Sequence, residues 1–401
     1  MHATRVLQRC LSPALAPMHA LRSKTLLLAV ESLLAGRRLV LIDLARSWIG
    51  ADRIRAPLKR LDRLLGNRQL HAERERLYGG MVRWLARHPE PVIVVDWCRL
   101  KADGRWHLLR AAVPVGGRTL TLFEMIFPER QLASPAAERD FLERLKMLLP
   151  EQSRPILITD AGFRAPWCRS VDALGWRWVT RVRHRTHVKP AESVDTPDQW
   201  VACRALYPLA QRATRELGLF DLVRSHPIQA RLVLHARARR GRHHTNLKGQ
   251  PVRSKASRQN ARREAEPWLL AASPSMDLAA AQIVSLYRRR MQIELGFRDL
   301  KSHRYGQAFE DSLTRKRDRI EILLLLHTLA VFAAWLAGMG AEAGHCQNRL
   351  NPYATRRRLY ALVRLGWEAL ARGWLERPVN TLLNSLHRLS QEAIDNMAVQ
   401  R

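Results

Sequence analysis

Apolar positions recur at helical spacing through roughly the first 85 residues. Leu26, Leu27, Val30, Leu33 and Leu34 mark one helical face, with Gly36 as a stop. A second helical stretch runs from Leu39 to Trp48, and Ile49-Gly50 ends it. A third runs from Ala51 to Leu65, followed by Gly66-Asn67. Helix, short glycine turn and second helix is the order of a helix-turn-helix. From Pro91 the period changes. Val92 to Val95 is a continuous apolar run ending on Asp96-Trp97, as expected of a strand covered on both faces. Arg105 to Val115 and Arg118 to Phe127 are joined by Gly116-Gly117, a two-residue hairpin signal.

Ser134-Pro135 caps and opens a helix that Pro150 stops. Ile156 to Asp160 is a further short strand, Arg164 to Leu174 a short helix, and Trp176 to Arg183 an aromatic strand. The order β-β-β-α-β-α-β begins as an antiparallel meander and ends in crossover units. It predicts an α/β fold, a mixed sheet with helices on both faces. Regularity fails from about 185 to 275, where Gln229 to Ala236 and Trp268 to Ala272 read as strands. Between them, Arg237 to Arg263 carries ten Lys or Arg and no acid, which reads as a mobile basic loop. From Leu278 the chain reads as helical to the end apart from loops near Gly306, Gly338 to Pro352 and Pro378. Ile320 to Leu336 is apolar enough to suggest a membrane span, but Glu321 and His327 interrupt it, so a buried core helix is expected and no membrane partner.

Charge alters the picture most. The 401 residues carry 68 Lys or Arg against 36 Asp or Glu, a formal net charge of +32. A folded chain this basic repels itself unless a polyanion is nearby, and nucleic acid is the default partner. Arg53, Arg55, Lys59, Arg60 and Arg63 place such charge on the second helix of the helix-turn-helix, although a basic surface helix in an ordinary bundle has the same pattern. The five cysteines are scattered without a CxxC pair, which argues against zinc ribbons and disulfide scaffolds and fits a reducing cytoplasm. No signal peptide is evident. His184, His187, His243 and His244 sit among arginines without cysteine or acid at ligand spacing and read as DNA-facing or solvated.

An ionised Asp96 inside an apolar strand is unfavourable unless a cation or donor compensates it. Asp160 ends a second apolar strand, and Ala161-Gly162 lets the chain turn there. Either aspartate alone suits a strand end that caps or turns the chain; two on neighbouring strands are also able to share a divalent metal. Tyr287, Arg290, Glu294 and Lys301 are spaced by 3, 4 and 7 along a predicted helix and share one stripe. That stripe reads either as a structural ion-pair ladder or as a metal-binding carboxylate flanked by phosphate-gripping cations. Asp299 lies off the stripe, and Phe297 and Leu300 read as core.

Three blocks carry a resemblance: Val94-Val95-Asp96-Trp97, Thr159 to Phe163 with Pro166-Trp167, and Tyr287 to Lys301 with Met291 to Glu294. With Arg60 to Asn67, they resemble the DDE transposases of the IS-four family, in particular the branch of the tetracycline-resistance transposon. Similarity runs nearly end to end, thinning in 237–263 and after about 340. Cys98 departs from the serine often found after the tryptophan, with no loss of chemistry expected. The resemblance implies an RNase H-like core interrupted by a β-rich insertion. On it the chain divides into an N-terminal helical DNA end-binding domain (1–85), a first core part (86–185), the insertion (186–276), a second core part carrying Glu294 (277–337) and a C-terminal helical, dimerisation-type region (338–401).

The family also implies two Mg²⁺ ions, with Mn²⁺ as a substitute, on Asp96, Asp160 and Glu294. Its reaction is cut-and-paste transposition through a DNA hairpin, with double-stranded transposon ends and target DNA as partners and a homodimer forming on DNA. Trp268 matches the aromatic residue that holds a flipped base; read by itself it is equally a core tryptophan of the insertion. Two other readings stand beside the transposase: a transposase-derived DNA-binding protein without catalysis, and a general RNase H-like nuclease.

Overall fold

The computed structural model describes residues 2–183, 186–191, 199–236, 250–252, 254–350 and 359–374. Six helices come first: α1 (His2–Cys10), α2 (Ser12–Leu15), α3 (Ala20–Gly36), α4 (Leu41–Arg46), α5 (Arg55–Leu65) and α6 (Arg68–Leu85). Then follow β1 (Val92–Arg99), β2 (Trp106–Pro114), β3 (Thr119–Pro128), α7 (Pro135–Leu148), β4 (Ile156–Ile158), α8 (Ala165–Ala173) and β5 (Arg177–Val182). After these come β6 (His187–Pro190), β7 (Val201–Ala202), β8 (Arg215–Leu222), β9 (Ile228–His235), α9 (Lys255–Ala265) and β10 (Trp268–Ala272). The chain closes with α10 (Ala280–Arg288), α11 (Met291–Lys301), α12 (Arg317–Ala343) and α13 (Leu362–Ala371). The fold is mixed α/β, and the β-β-β-α-β-α-β order is the one the hydrophobic pattern predicts.

Two compact units divide the chain, one formed by Met1–Pro155 with Arg290–Arg401 and the other by Ile156–Arg289. In the first unit β3, β2 and β1 form an antiparallel meander in that order. Its hairpin turns where the sequence predicts: Gly116 and Gly117 both have positive φ, and Val115 N–H donates to Arg118 O at 2.8 Å. In the second unit the strand order is β4-β5-β10-β9-β8-β6-β7, with β4 parallel to β5 and the other pairs antiparallel.

Strand alternation sorts the helices of the first unit. On one face Phe123 stacks on Phe141 of α7, with centroids 5.4 Å apart, and Trp97 Nε1 reaches Glu138 at 3.3 Å. The other face carries a row of charges. Asp96, Arg110 and Glu124 are direct register partners across β1, β2 and β3, so their side chains share that face. Arg110 and Glu124 are almost wholly buried. Arg110 Nε donates to Glu124 Oε2 at 2.8 Å, with Nη2 2.6 Å from the same oxygen, and its guanidinium lies 5.3 Å from the Phe297 ring of α11. Glu124 Oε1 accepts from Tyr78 of α6 and Thr328 of α12, each at 2.8 Å. Burial and the Glu124 charge raise the Tyr78 pKa, so its hydroxyl keeps the proton it donates.

α12 is long and apolar enough to cross a membrane, and nearly all of its apolar window is buried within this unit, as a core helix would be. Its Glu321 is bound by His71 (2.6 Å) and Arg74 (2.9 Å) of α6. Burial pushes the Glu321 pKa up, but the His71 hydrogen bond and the Arg74 and Arg317 charges outweigh it and leave the group below its ordinary range.

Four sequence expectations need correction, the first being the loop read from Gly338, because α12 continues through that glycine to Ala343. The third N-terminal helix starts at Arg55, not Ala51, because Pro57 clashes with the carbonyl four residues back in any helix that includes Arg53. The basic stretch expected to be loop is helical from Lys255 to Ala265; Ser254 Oγ caps it by accepting from Ser257 N–H at 3.2 Å, while 237–249 lie outside the described residues. Strands β6, β7 and β8 fall where no regularity was read, since they are half-exposed and lack a continuous apolar face.

The charge row makes a stability prediction. Glu124→Ala leaves Arg110 buried without its counter-charge, and unfolding free energy is expected to fall by about 3–5 kcal/mol. The double change Arg110→Met with Glu124→Leu is expected to recover most of that loss. Urea titration followed by circular dichroism measures both; a loss equal in single and double variants would contradict the assignment.

Candidate active site

Asp96 is the fifth residue of β1 and is 9% exposed. Its Oδ1 accepts the Trp97 N–H at 2.8 Å and its Oδ2 faces Arg290 Nη1 at 3.2 Å. The other Arg290 terminal nitrogen donates to Glu294 Oε1 at 2.6 Å, one turn along α11. One guanidinium therefore lies between two of the three expected carboxylates and joins them. Lys301, at the end of α11, donates to Arg99 O at 3.1 Å, beside the end of β1. Cys98 is buried on the Asp96 side of β1; burial raises its thiol pKa, with Lys301 and Arg110 opposing. Asp299, kept outside the metal set, pairs with Arg118.

Asp160 belongs to the second unit. It lies two residues past β4, half-buried, where its Oδ1 accepts Gly162 N–H at 2.7 Å and its carbonyl accepts Thr180 Oγ1 at 2.8 Å. A Cβ on Gly162 would stand 2.9 Å from Asp160 Oδ1, so a side chain there would push the carboxylate aside. In the same unit Trp268 is buried on β10, edge-on to Tyr287 with centroids 4.9 Å apart and tilted to His235 at 6.3 Å.

The four-residue stripe does not sit on one helix. α10 ends at Arg288 and α11 begins at Met291; around the three consecutive arginines the bonding tightens, with Arg289 N–H to Leu286 O and Ile293 N–H to Arg290 O in place of four-residue steps. Arg290 and Glu294 still meet, whereas Tyr287 is a buried ring of the second unit. In the N-terminal region Lys59, Arg60 and Arg63 are exposed on α5, and Arg53 is exposed in the segment before it. His187 is exposed on β6; His184, His243 and His244 lie outside the described residues.

Sequence reasoning missed Arg110 and Glu124. The signal was present: each is a lone charge in an otherwise apolar strand, as Asp96 is. It also missed His71, Asp318 and Glu321, whose ligand-type atoms lie within 4.8 Å of one another. Arg74 and Arg317 already neutralise Glu321, so that group reads as a clasp between α6 and α12. By contrast, the groups that meet at Arg290 are the carboxylate oxygens of Asp96 and Glu294, a donor type that suits a hard dication such as Mg²⁺.

This geometry has a measurable consequence. Arg290→Ala removes the positive charge between Asp96 and Glu294, so the variant is expected to melt below the parent in EDTA. Added Mg²⁺ should then raise its melting temperature more than the parent's, because the ion takes over the vacated charge balance. Equal Mg²⁺ shifts in the two proteins would show that the guanidinium and a dication do not compete.

No curated protein matches the chain. The family described as transposase DDE domain matches residues 87–333, more than half of the length and the whole span from before Asp96 to beyond Glu294, and the chain belongs to that family.

Proposed function

We propose that this transposase-family protein performs cut-and-paste transposition on an RNase H-like core, in the manner of the IS-four branch it resembles. Asp96, Asp160 and Glu294 are its catalytic carboxylates, and double-stranded transposon ends are its substrate. The observation that carries the reading is the single guanidinium of Arg290 held between Asp96 and Glu294, inside the matched family span. Arg38 and Arg144 also bridge two carboxylates each, so the bridge supports a site here because its acids, Asp96 and Glu294, are two of the three carboxylates in the blocks that carry the resemblance.

The three carboxylates would hold two Mg²⁺ ions, or Mn²⁺ in their place, which when bound lower the barrier to attack on a phosphodiester and to departure of the 3′ oxygen. The chain's own residues do the rest. Arg290, released from the carboxylates, offers a planar donor fork to the flanking phosphate, and Lys301 adds a point charge at the end of the same helix. The exposed Arg53, Lys59, Arg60 and Arg63 of the N-terminal region supply phosphate contacts that position the end. Two ends must be joined, so a homodimer on DNA is part of the reading, as is action in the bacterial cytoplasm. The intact carboxylate set favours catalysis over the binding-only alternative, and dependence on a defined end sequence separates a transposase from a general nuclease.

The decisive assay incubates the protein with supercoiled plasmid bearing the flanking inverted repeats and Mg²⁺. Asp96→Asn, Asp160→Asn and Glu294→Gln are each expected to abolish nicking and excision while end binding by gel shift stays within about threefold of the parent, since binding rests on phosphate contacts elsewhere. Normal nicking by any of the three would sink the assignment.

Trp268 has a separate expectation. Its ring is packed against Tyr287, so holding a flipped base on it requires the two rings to part. Trp268→Ala is expected to spare the first nick and lower the yield of hairpin ends; unchanged hairpin yield on denaturing gels would remove it from the mechanism.

A further inference from the structure

The second unit carries an open cleft of about 1890 Å³. Small-molecule sites occupy roughly 300–1,000 Å³, so this volume suits an extended ligand. Its walls come from the end of β5, the N-terminus of α8, the turn after β8 and the exposed face of α9. Six arginines line it against one carboxylate, Glu266, which is engaged by Arg183 at 2.7 Å.

Three of those arginines stand out. Arg164, Arg204 and Arg262 are exposed, and among the described residues their guanidiniums have no hydrogen bond or ion pair. A fourth, Arg181, is packed deeper with its Nε lacking a partner; burial, and then the Arg183 charge, lowers its pKa, as expected where positive charge is crowded. At the rim Val223 is held at φ +68°, a conformation that β-branched residues avoid, and its N–H donates to His187 O at 3.0 Å. That strained residue turns the chain after β8 so that Arg224 joins the lining. Structures keep such strain where the site it shapes matters.

The ligand class follows from shape and charge. A duplex is read by protein elements that protrude into its grooves, whereas an unpaired strand lies within a basic groove that tracks its backbone. This site is concave, and its lining includes apolar Phe163, Leu222 and Ile228 as well as the guanidiniums, so bases and phosphates both find partners in it. Ala161 and Thr180 are part of the lining, and the Thr180 hydroxyl donates to the Asp160 carbonyl, so the cleft adjoins that residue.

We propose that this cleft is a channel for an unpaired stretch of DNA leading to Asp160, with its phosphates held by Arg164, Arg204 and Arg262. The placement of the strand end rests on reading Asp160 as catalytic; the binding of the strand does not.

The test uses the full chain in EDTA, with fluorescence anisotropy on a labelled mixed-sequence single strand and on the same sequence as a duplex. The triple variant Arg164→Gln, Arg204→Gln, Arg262→Gln is compared with the parent and with the corresponding triple lysine variant. Three lost phosphate contacts should make the log–log salt dependence for the single strand shallower by about 2 and weaken binding near 0.1 M salt by about 10–100-fold. Duplex affinity should stay within about twofold, and the lysine variant should retain most of the single-strand affinity because it keeps the charge. An unchanged single-strand slope overturns the proposal. So does an equal loss on single strand and duplex, which would make the cleft a general DNA surface. Because the assay contains no metal and reads no cleavage, the channel and the catalytic assignment fail separately: normal nicking by Asp160→Asn leaves the anisotropy result standing, and an unchanged slope leaves the nicking result standing.

Discussion

A row of three charges across an apolar meander constrains most of the first unit. Asp96, Arg110 and Glu124 are register partners on one sheet face, and Arg110 and Glu124 are almost fully removed from water. Charges so placed persist only when mutually compensated and hydrogen-bonded. Compensation therefore dictates what else is near: Tyr78 from α6 and Thr328 from α12 complete Glu124, and Phe297 from α11 covers the guanidinium of Arg110. A slip of one residue in β1 or β3 would turn the row to the other face and strand the charges among Phe123, Phe141 and Trp97. Register is thus fixed by electrostatics as well as by apolar alternation, and fixing it fixes where Asp96 emerges.

The same helix that covers the row brings Glu294 and, through Arg290, closes the cluster around Asp96. The guanidinium balances the two carboxylates, which would otherwise repel each other where they converge. Under the proposed function Arg290 has two successive partners, the carboxylates first and a phosphate afterwards. In the second unit Asp160 is placed differently, by a strand end, a glycine that leaves its carboxylate room and a threonine on its carbonyl. The carboxylates thus arise from unlike local solutions, which is why no single periodic pattern announces them.

Much of the architecture is legible in the hydrophobic pattern and the turn residues alone. The apolar run before Asp96, the Gly116-Gly117 turn, the Ser134-Pro135 helix start and the two short crossover units all lie where pattern and turn chemistry put them. Those signals are local, within one turn or one strand. Expectations failed where a local breaker was passed over, the deciding contact was distant or the pattern was weak. Pro57 shortened a helix from inside its own first turn, and β6 to β8 gained order from strand partners rather than from their own half-polar sequence. The expected single helix from Tyr287 to Lys301 divides at consecutive arginines, so spacing that suggested one stripe became two helices.

The sequence by itself determined the element order, the basic charge that calls for a polyanion, and the three blocks that carry the carboxylates, because period, composition and motif are properties of the chain. It did not reveal that Arg110 and Glu124 are the buried partners beside Asp96, since two isolated charges in separate strands become a pair only when register places them opposite each other. Nor did it reveal that Arg290 bridges Asp96 and Glu294, which lie 198 positions apart in the chain. The arginine-lined cleft assembles from β5, α8, α9 and the turn after β8, segments whose charges look like general basicity until folding makes them converge. Tertiary structure decided which charges meet, because only close approach in a water-poor setting makes one cation out of 68 answer to a particular acid.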